Sequence, residues 1–248
     1  MHEASPGILT VTLIFALAGL AKGIAGMGLP TVAMGLHGLL MTPAEAAALV
    51  VIPSLVTNIW QFLSGQHRLI LIRPVWSMLL MICLATWVGA GLMTGAGSGR
   101  ASIGLGAALI VYAVIGLARV RLSVPRRYEV WLSPAVGGIT GVVTGATGVF
   151  VIPAAPYLQA LGLDKDDLVQ VLGLSFTTST VALAAGLASH GAFHITDAGT
   201  SALCTVPALI AMGSGQMVRA RVDPATFHVL FLITLLLLGA DLMVRSAF

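Results

Sequence analysis

The chain has 248 residues, 58% of them hydrophobic and only 8% charged, with a formal net charge of +3. A soluble domain carries about 25% charged residues, so this composition cannot clothe a water-facing surface and points to an integral membrane protein. The length fits roughly eight spans of about 20 residues with tight connections, which leaves no room for a soluble catalytic domain. The basic balance does not indicate a nucleic-acid partner. The arginines fall in short loops between apolar runs, the pattern that sets membrane orientation.

Apolar stretches lie at 7–29, 30–41, 43–64, 73–94, 101–118, 131–161, 166–188, 196–214 and 225–244. The residues before the first are not basic, and no cleavage pattern follows it, so no cleavable signal peptide is expected. The first stretch is interrupted by Lys22-Gly23-Ile24-Ala25-Gly26-Met27-Gly28-Leu29-Pro30. Unwound backbone at membrane depth is tolerated only where it is buried in protein or lines a cavity. The glycines Gly23, Gly26 and Gly28 expose backbone N–H groups and a helix N-terminus, which suit an anion; close helix packing is the alternative. Lys22 is the one lysine inside an apolar run, 15 residues past Gly7. A cation there costs roughly 2.5–3.5 kcal/mol on insertion scales. It is expected to neutralise an anionic substrate, the alternatives being snorkelling or a pair with Glu45.

The stretch at 30–41 is too short to span. A helix then starts after Thr42-Pro43 and carries Ser54, Asn58 and Gln61 at helical spacing on one face. Neutral hydroxyls and amides suit an oxyanion; interhelical hydrogen bonding is the plainer reading. Trp60 reads as an interfacial belt residue and Glu45 as a helix-dipole partner in a first turn. Cys83 and Cys204 fall inside apolar segments and read as small buried hydrophobes.

The second half repeats this order. Its break reads Gly141-Val142-Val143-Thr144-Gly145-Ala146-Thr147-Gly148, followed by Pro153. Gly145 and Gly148 are its candidate anion donors. Ser175, Thr177 and Thr178 answer the first polar face. Asp164, Asp166 and Asp167 resemble a helix-start cluster, and Asp241 precedes Arg245 by one turn and reads as its surface partner. No His/Cys/Asp/Glu spacing supports a metal site, and no enzyme motif, catalytic residue or cofactor is indicated.

The expected fold is an all-α polytopic membrane protein of two homologous halves, 1–120 and 131–248, joined by a basic cytoplasmic linker at 121–130. Each half has a broken or re-entrant first segment and three transmembrane helices. Charge discriminates between the topologies. If both broken segments cross, the cations divide seven against four. If both re-enter, Arg68, Arg73, Arg119, Arg121, Arg126, Arg127, Lys165, Arg219 and Arg221 share one side, and only Arg100 and Arg245 the other. The second division fits the positive-inside rule better. It makes the repeats inverted, with both termini outside. Paired interrupted segments in two halves are a pointer to a transporter's binding site.

From Lys22 to Gln61 the chain reads KGIAGMGLPTVAMGLHGLLMTPAEAAALVVIPSLVTNIWQ. The Lys-Gly-x-x-Gly-x-Gly-x-Pro opening, the Ala-rich helix start after Thr42-Pro43 and the Pro53-Ser54…Thr57-Asn58 patch resemble the TauE/SafE sulfite-exporter family, also called the toluene-sulfonate uptake permease family. The second half carries the resemblance through Gly148, Pro153 and Gly173-Leu174-Ser175-Phe176-Thr177-Thr178. It implies a multi-pass transporter of the bacterial inner membrane for sulfite, sulfonates or related small organic acids. The expected partners are such an anion and membrane lipid, with a proton or sodium if uptake must be coupled. A homodimer is compatible with the small-residue faces. An anion channel is the alternative.

Overall fold

The computed structural model describes residues 7–64, 68–95, 98–118, 123–193, 195–219 and 223–247. Among them ten helices follow in order: α1 Ile8–Ala25, α2 Leu29–His37, α3 Pro43–Leu63, α4 Arg68–Gly95, α5 Ser98–Leu117, α6 Arg126–Thr147, α7 Ala154–Ala160, α8 Lys165–Ser189, α9 Ile195–Val218 and α10 Pro224–Ala247. Eight are long and apolar enough to cross a membrane. The other two, α2 and α7, have 9 and 7 residues. The protein is therefore an all-α polytopic membrane protein, as its composition requires.

Local chemistry sets the helix ends. Thr42 and Glu45 form a reciprocal capping box at the start of α3, with Pro43 in its first turn. Asp166 and Asp167 lie in the first turn of α8, where they complement the helix dipole. Pro53 lies inside α3. Having no N–H, it leaves the Leu49 carbonyl without its intrahelical donor. Ser201 of α9 supplies that donor, its hydroxyl reaching the Leu49 oxygen at 2.6 Å. In lipid such a carbonyl must be satisfied by protein, so this bond ties α9 to α3 one turn before Pro53.

Each half opens with a hairpin of unequal arms. α1 ends at Gly26 and α6 at Gly148, both in the left-handed conformation. In the first hairpin, Phe15 in mid-α1 packs on His37 at the end of α2, the ring centroids 5.1 Å apart, so α2 runs back beside α1. In the second, the Ala160 carbonyl at the end of α7 accepts from Val124 N at 3.1 Å, just ahead of α6. The second hairpin thus starts and finishes at the same end of the molecule, and in the first α2 returns as far as mid-α1.

Close glycine contacts give the remaining directions. Gly19 and Gly23 of α1 abut Ala208, Met212 and Gly215 of α9, so these helices run parallel. Gly137, Gly141 and Gly145 of α6 lie in order against Met78, Ile82 and Thr86 of α4, also parallel. α3 and α8 run antiparallel, as do α5 and α10. The first helix of each half therefore packs on a helix of the other half, α1 on α9 and α6 on α4. Residues 7 and 247 lie at one end, the terminal end. Arg68, Arg73, Arg126, Arg127, Lys165 and Arg219 lie at or near the opposite, basic end. Arg100 and Arg245 belong to the terminal end, where Arg245 pairs with Asp241 at 2.8 Å. Arg119, Arg121 and Arg221 lie outside the described residues.

The second break is displaced from where the sequence placed it. α6 is continuous through Thr147, and the chain unwinds only between Gly148 and Pro153. Gly141 and Gly145 sit inside the helix. A Cβ on Gly145 would collide with the Thr86 carbonyl and the Ala90 backbone. Glycine at every fourth position here gives close helix approach, whereas the break needs only the positive φ of 72° at Gly148.

Candidate functional site

A cavity of about 250 Å³ opens at the basic end, between the C-terminal parts of α1, α3 and α9 and the first turns of α8. Trp60, Ser64, Gln216 and Arg219 form its exposed rim. Lys22, 3% exposed, lies at its floor. α1 carries Lys22 one turn before the hairpin tip, and α3 brings Thr57 and Asn58 to the same level. Thr57 lies six residues from the end of α3, about 9 Å at 1.5 Å per residue. The site is therefore on the basic side of the midplane, at the hairpin tip.

The Lys22 ammonium donates to Thr57 Oγ1 at 3.1 Å and to Asn58 Oδ1. Among the described residues no carboxylate pairs with it. Glu45, the partner considered from sequence, is at the other end of α3, held by Thr42. The Thr57 hydroxyl itself donates to the Pro53 carbonyl at 2.7 Å. The Asn58 Nδ2 group and the Ser54 hydroxyl, both wholly buried, have no partner among the described residues. A buried polar group left unpaired costs roughly 1–3 kcal/mol. The arrangement thus holds one uncompensated cation and spare donors, which is what an oxyanion requires.

The predicted site residues separate into three groups. Lys22, Gly23, Gly26 and Gln61 line the cavity, and Asn58 joins them through Lys22. Ser54 lies one helical turn deeper on α3, and Ser175, on the facing α8, is equally buried with its hydroxyl unpaired. The others are placed elsewhere among the described residues. Gly28 rests against the Phe231 ring, and Gly148 against Met34. Thr177 and Thr178 donate back to the carbonyls of Gly173 and Leu174. Gln61 also has a bracing role: its amide donates to the Val169 carbonyl at 2.8 Å, while Gln170 donates to Phe62 at 2.9 Å. These two bonds tie α3 to α8 beside the cavity.

Met212 and Gln216 of α9, and Arg219 just after it, also line the cavity. The i, i+4, i+7 spacing of these three marks one helix face, but nothing local says that this face meets α1. A second recess, about 240 Å³, lies at the terminal end between Thr42, Met93, Thr94 and His190. His194 lies outside the described residues. No metal-binding cluster occurs among the described residues, and Cys83 and Cys204 are free thiols.

A family model described as sulfite exporter TauE/SafE matches residues 11–242. No curated protein matches the chain, and no solved structure does.

Proposed function

The chain belongs to the sulfite exporter TauE/SafE family, and from that premise we propose that this multi-pass membrane transporter exports small anions across the bacterial inner membrane. The substrates are sulfite, organosulfonates or short organic acids. The basic end is cytoplasmic, in keeping with the positive-inside rule. The halves 1–120 and 131–248 work as inverted repeats about the linker 121–130, and alternating access moves a site formed between them.

One observation carries this reading: the buried Lys22 ammonium faces a solvent-reachable cavity with only neutral acceptors around it. An isolated buried charge is expensive, and an incoming anion relieves that cost. At about 250 Å³ the cavity falls below the 300–1,000 Å³ range of sites for drug-sized ligands, so the cargo is small. Lys22, Asn58 and Thr57 contact the oxyanion, with the Gly23–Gly26 backbone beside them. Buried Ser54 and Ser175 lie on the route beyond. A stop at Lys22, rather than an open path, favours alternating access over a channel. The membrane potential drives export of an anion, by about 2.3 kcal/mol per charge per 100 mV.

The test is sulfite flux in liposomes reconstituted with the wild type and Lys22→Ala, with a two-carbon sulfonate and acetate in parallel. Saturable flux of one anion by the wild type, absent in the variant, is the expected result. Flux in neither, with both proteins folded, would remove the proposal.

A further inference from the structure

The second cation of the cavity has no role in the reading above, and its position suggests one. Arg219 directly follows α9 and stands at the exposed rim. Its backbone N–H closes the last turn on the Gly215 carbonyl at 2.9 Å. Its guanidinium has no ion-pair or hydrogen-bond partner among the described residues. Arg245 is paired with Asp241 and Arg127 lies 4.6 Å from the Tyr128 ring centre; Arg73, Arg100 and Lys165 are also exposed without a partner among the described residues, but none of them lines the cavity. Arg219 and Lys22 are the two cations that line this cavity.

Gly23, next to Lys22, abuts Met212 and Gly215 of α9. Arg219 is therefore about one helical turn nearer the basic end, roughly 6 Å along the axis. Gln216 lines the wall between the two levels. A cleft with one sign of charge and low-dielectric walls concentrates counter-ions and raises association rates by about 10–10³.

We infer that Arg219 is the capture residue of this transporter: it draws anions from the basic-end compartment into the cavity and passes them along Gln216 to Lys22. The inference rests on the anion-transport reading. It assigns Arg219 to rate of arrival and Lys22 to retention, so the two cations have separable signatures. A residue that only sets membrane orientation would give neither a salt-dependent nor a one-sided effect.

The experiment measures initial sulfite flux in liposomes of one orientation, for the wild type, Arg219→Gln and Arg219→Lys. At about 0.01 M ionic strength the Debye length is about 30 Å, and at 1 M about 3 Å. For sulfite supplied at the basic end, Arg219→Gln is expected to lower subsaturating flux about tenfold at low salt. At about 1 M of an inert salt the difference falls below twofold, the saturated rate is unchanged throughout, and Arg219→Lys restores most of the loss. Sulfite supplied at the terminal end shows no difference. A loss independent of salt, equal from both ends, or confined to the saturated rate overturns the inference while leaving the transport reading intact. A wild type that moves none of sulfite, a two-carbon sulfonate or acetate overturns both.

Discussion

Replacing Lys22 by methionine separates a substrate-binding lysine from a structural one, because the two predict different stabilities. The substitution removes two hydrogen bonds from a charged donor, worth about 1.5–3 kcal/mol each. It strands the Asn58 carbonyl oxygen in a wholly buried position, at about 1–3 kcal/mol. Against these losses stands the relief of burying an ammonium that no carboxylate compensates, several kcal/mol per ion. The terms oppose one another and leave a net change within about 2 kcal/mol of zero. At about 2–4 °C per kcal/mol for a chain of this size, Tm in detergent moves by less than about 8 °C. Flux falls about a hundredfold, the loss of about 2.7 kcal/mol of anion binding, and sulfite-dependent thermal stabilisation disappears. A structural lysine in a buried pair would instead cost about 3–5 kcal/mol, and flux would follow the folded fraction. A variant that loses 10 °C or more, while its remaining folded protein still binds sulfite, would refute the argument.

Ser201→Ala removes the donor to the Leu49 carbonyl freed by Pro53 and is expected to cost about 1–3 kcal/mol; a thermal shift below 1 °C would show that another group satisfies it. Gly145→Ala forces a methyl group into the α4 backbone and should cost about 1–3 kcal/mol, measured as Tm; a variant as stable as the wild type would contradict the close α4–α6 approach. Thr178→Val removes a hydroxyl already bonded to the Leu174 carbonyl and should leave sulfite KM within about twofold, whereas a large KM rise would bring Thr178 itself into the substrate path. In a background lacking Cys83 and Cys204, cysteines at Gly7 and Arg245 should react with an impermeant maleimide from one face of the membrane. Cysteines at Ser64 and Gln216 should react from the other, those at the cavity rim being protected by substrate. Labelling of all four from one face would overturn the arrangement of ends.

Much of the fold is legible in the chain because lipid leaves few options. Apolar runs of span length must be helices there, and the glycine-rich stretch Lys22–Pro30 contains the point where the first of them turns back. Lys22 stands out for the same reason: a lone cation among apolar neighbours is costly in a bilayer, although the sequence alone left snorkelling or a pair with Glu45 open. The Ser54–Asn58–Gln61 face is also readable from helical spacing, and all three residues are buried. The displaced second break shows where local reading fails. Glycines serve both turns and close packing, and Gly141 and Gly145 became packing residues only once α4 lay against them.

The sequence by itself determined the membrane class, three spanning helices and one broken segment in each half, and the isolated charge at the first break. These follow from hydropathy, helix length and the cost of burying an ammonium, all local quantities. That the broken segments are full-length helices followed by short returning arms came from the structure. Only the tertiary structure decided which helices meet. It set α9 beside α1, which made Gln216 and Arg219 part of the cavity, and placed Ser201 over the carbonyl that Pro53 exposes. It also sent Glu45 to the far end from Lys22. Those pairings join residues more than a hundred positions apart, and no periodicity along the chain encodes them. They are settled by which small-residue faces can approach most closely, and that is a property of the packed bundle.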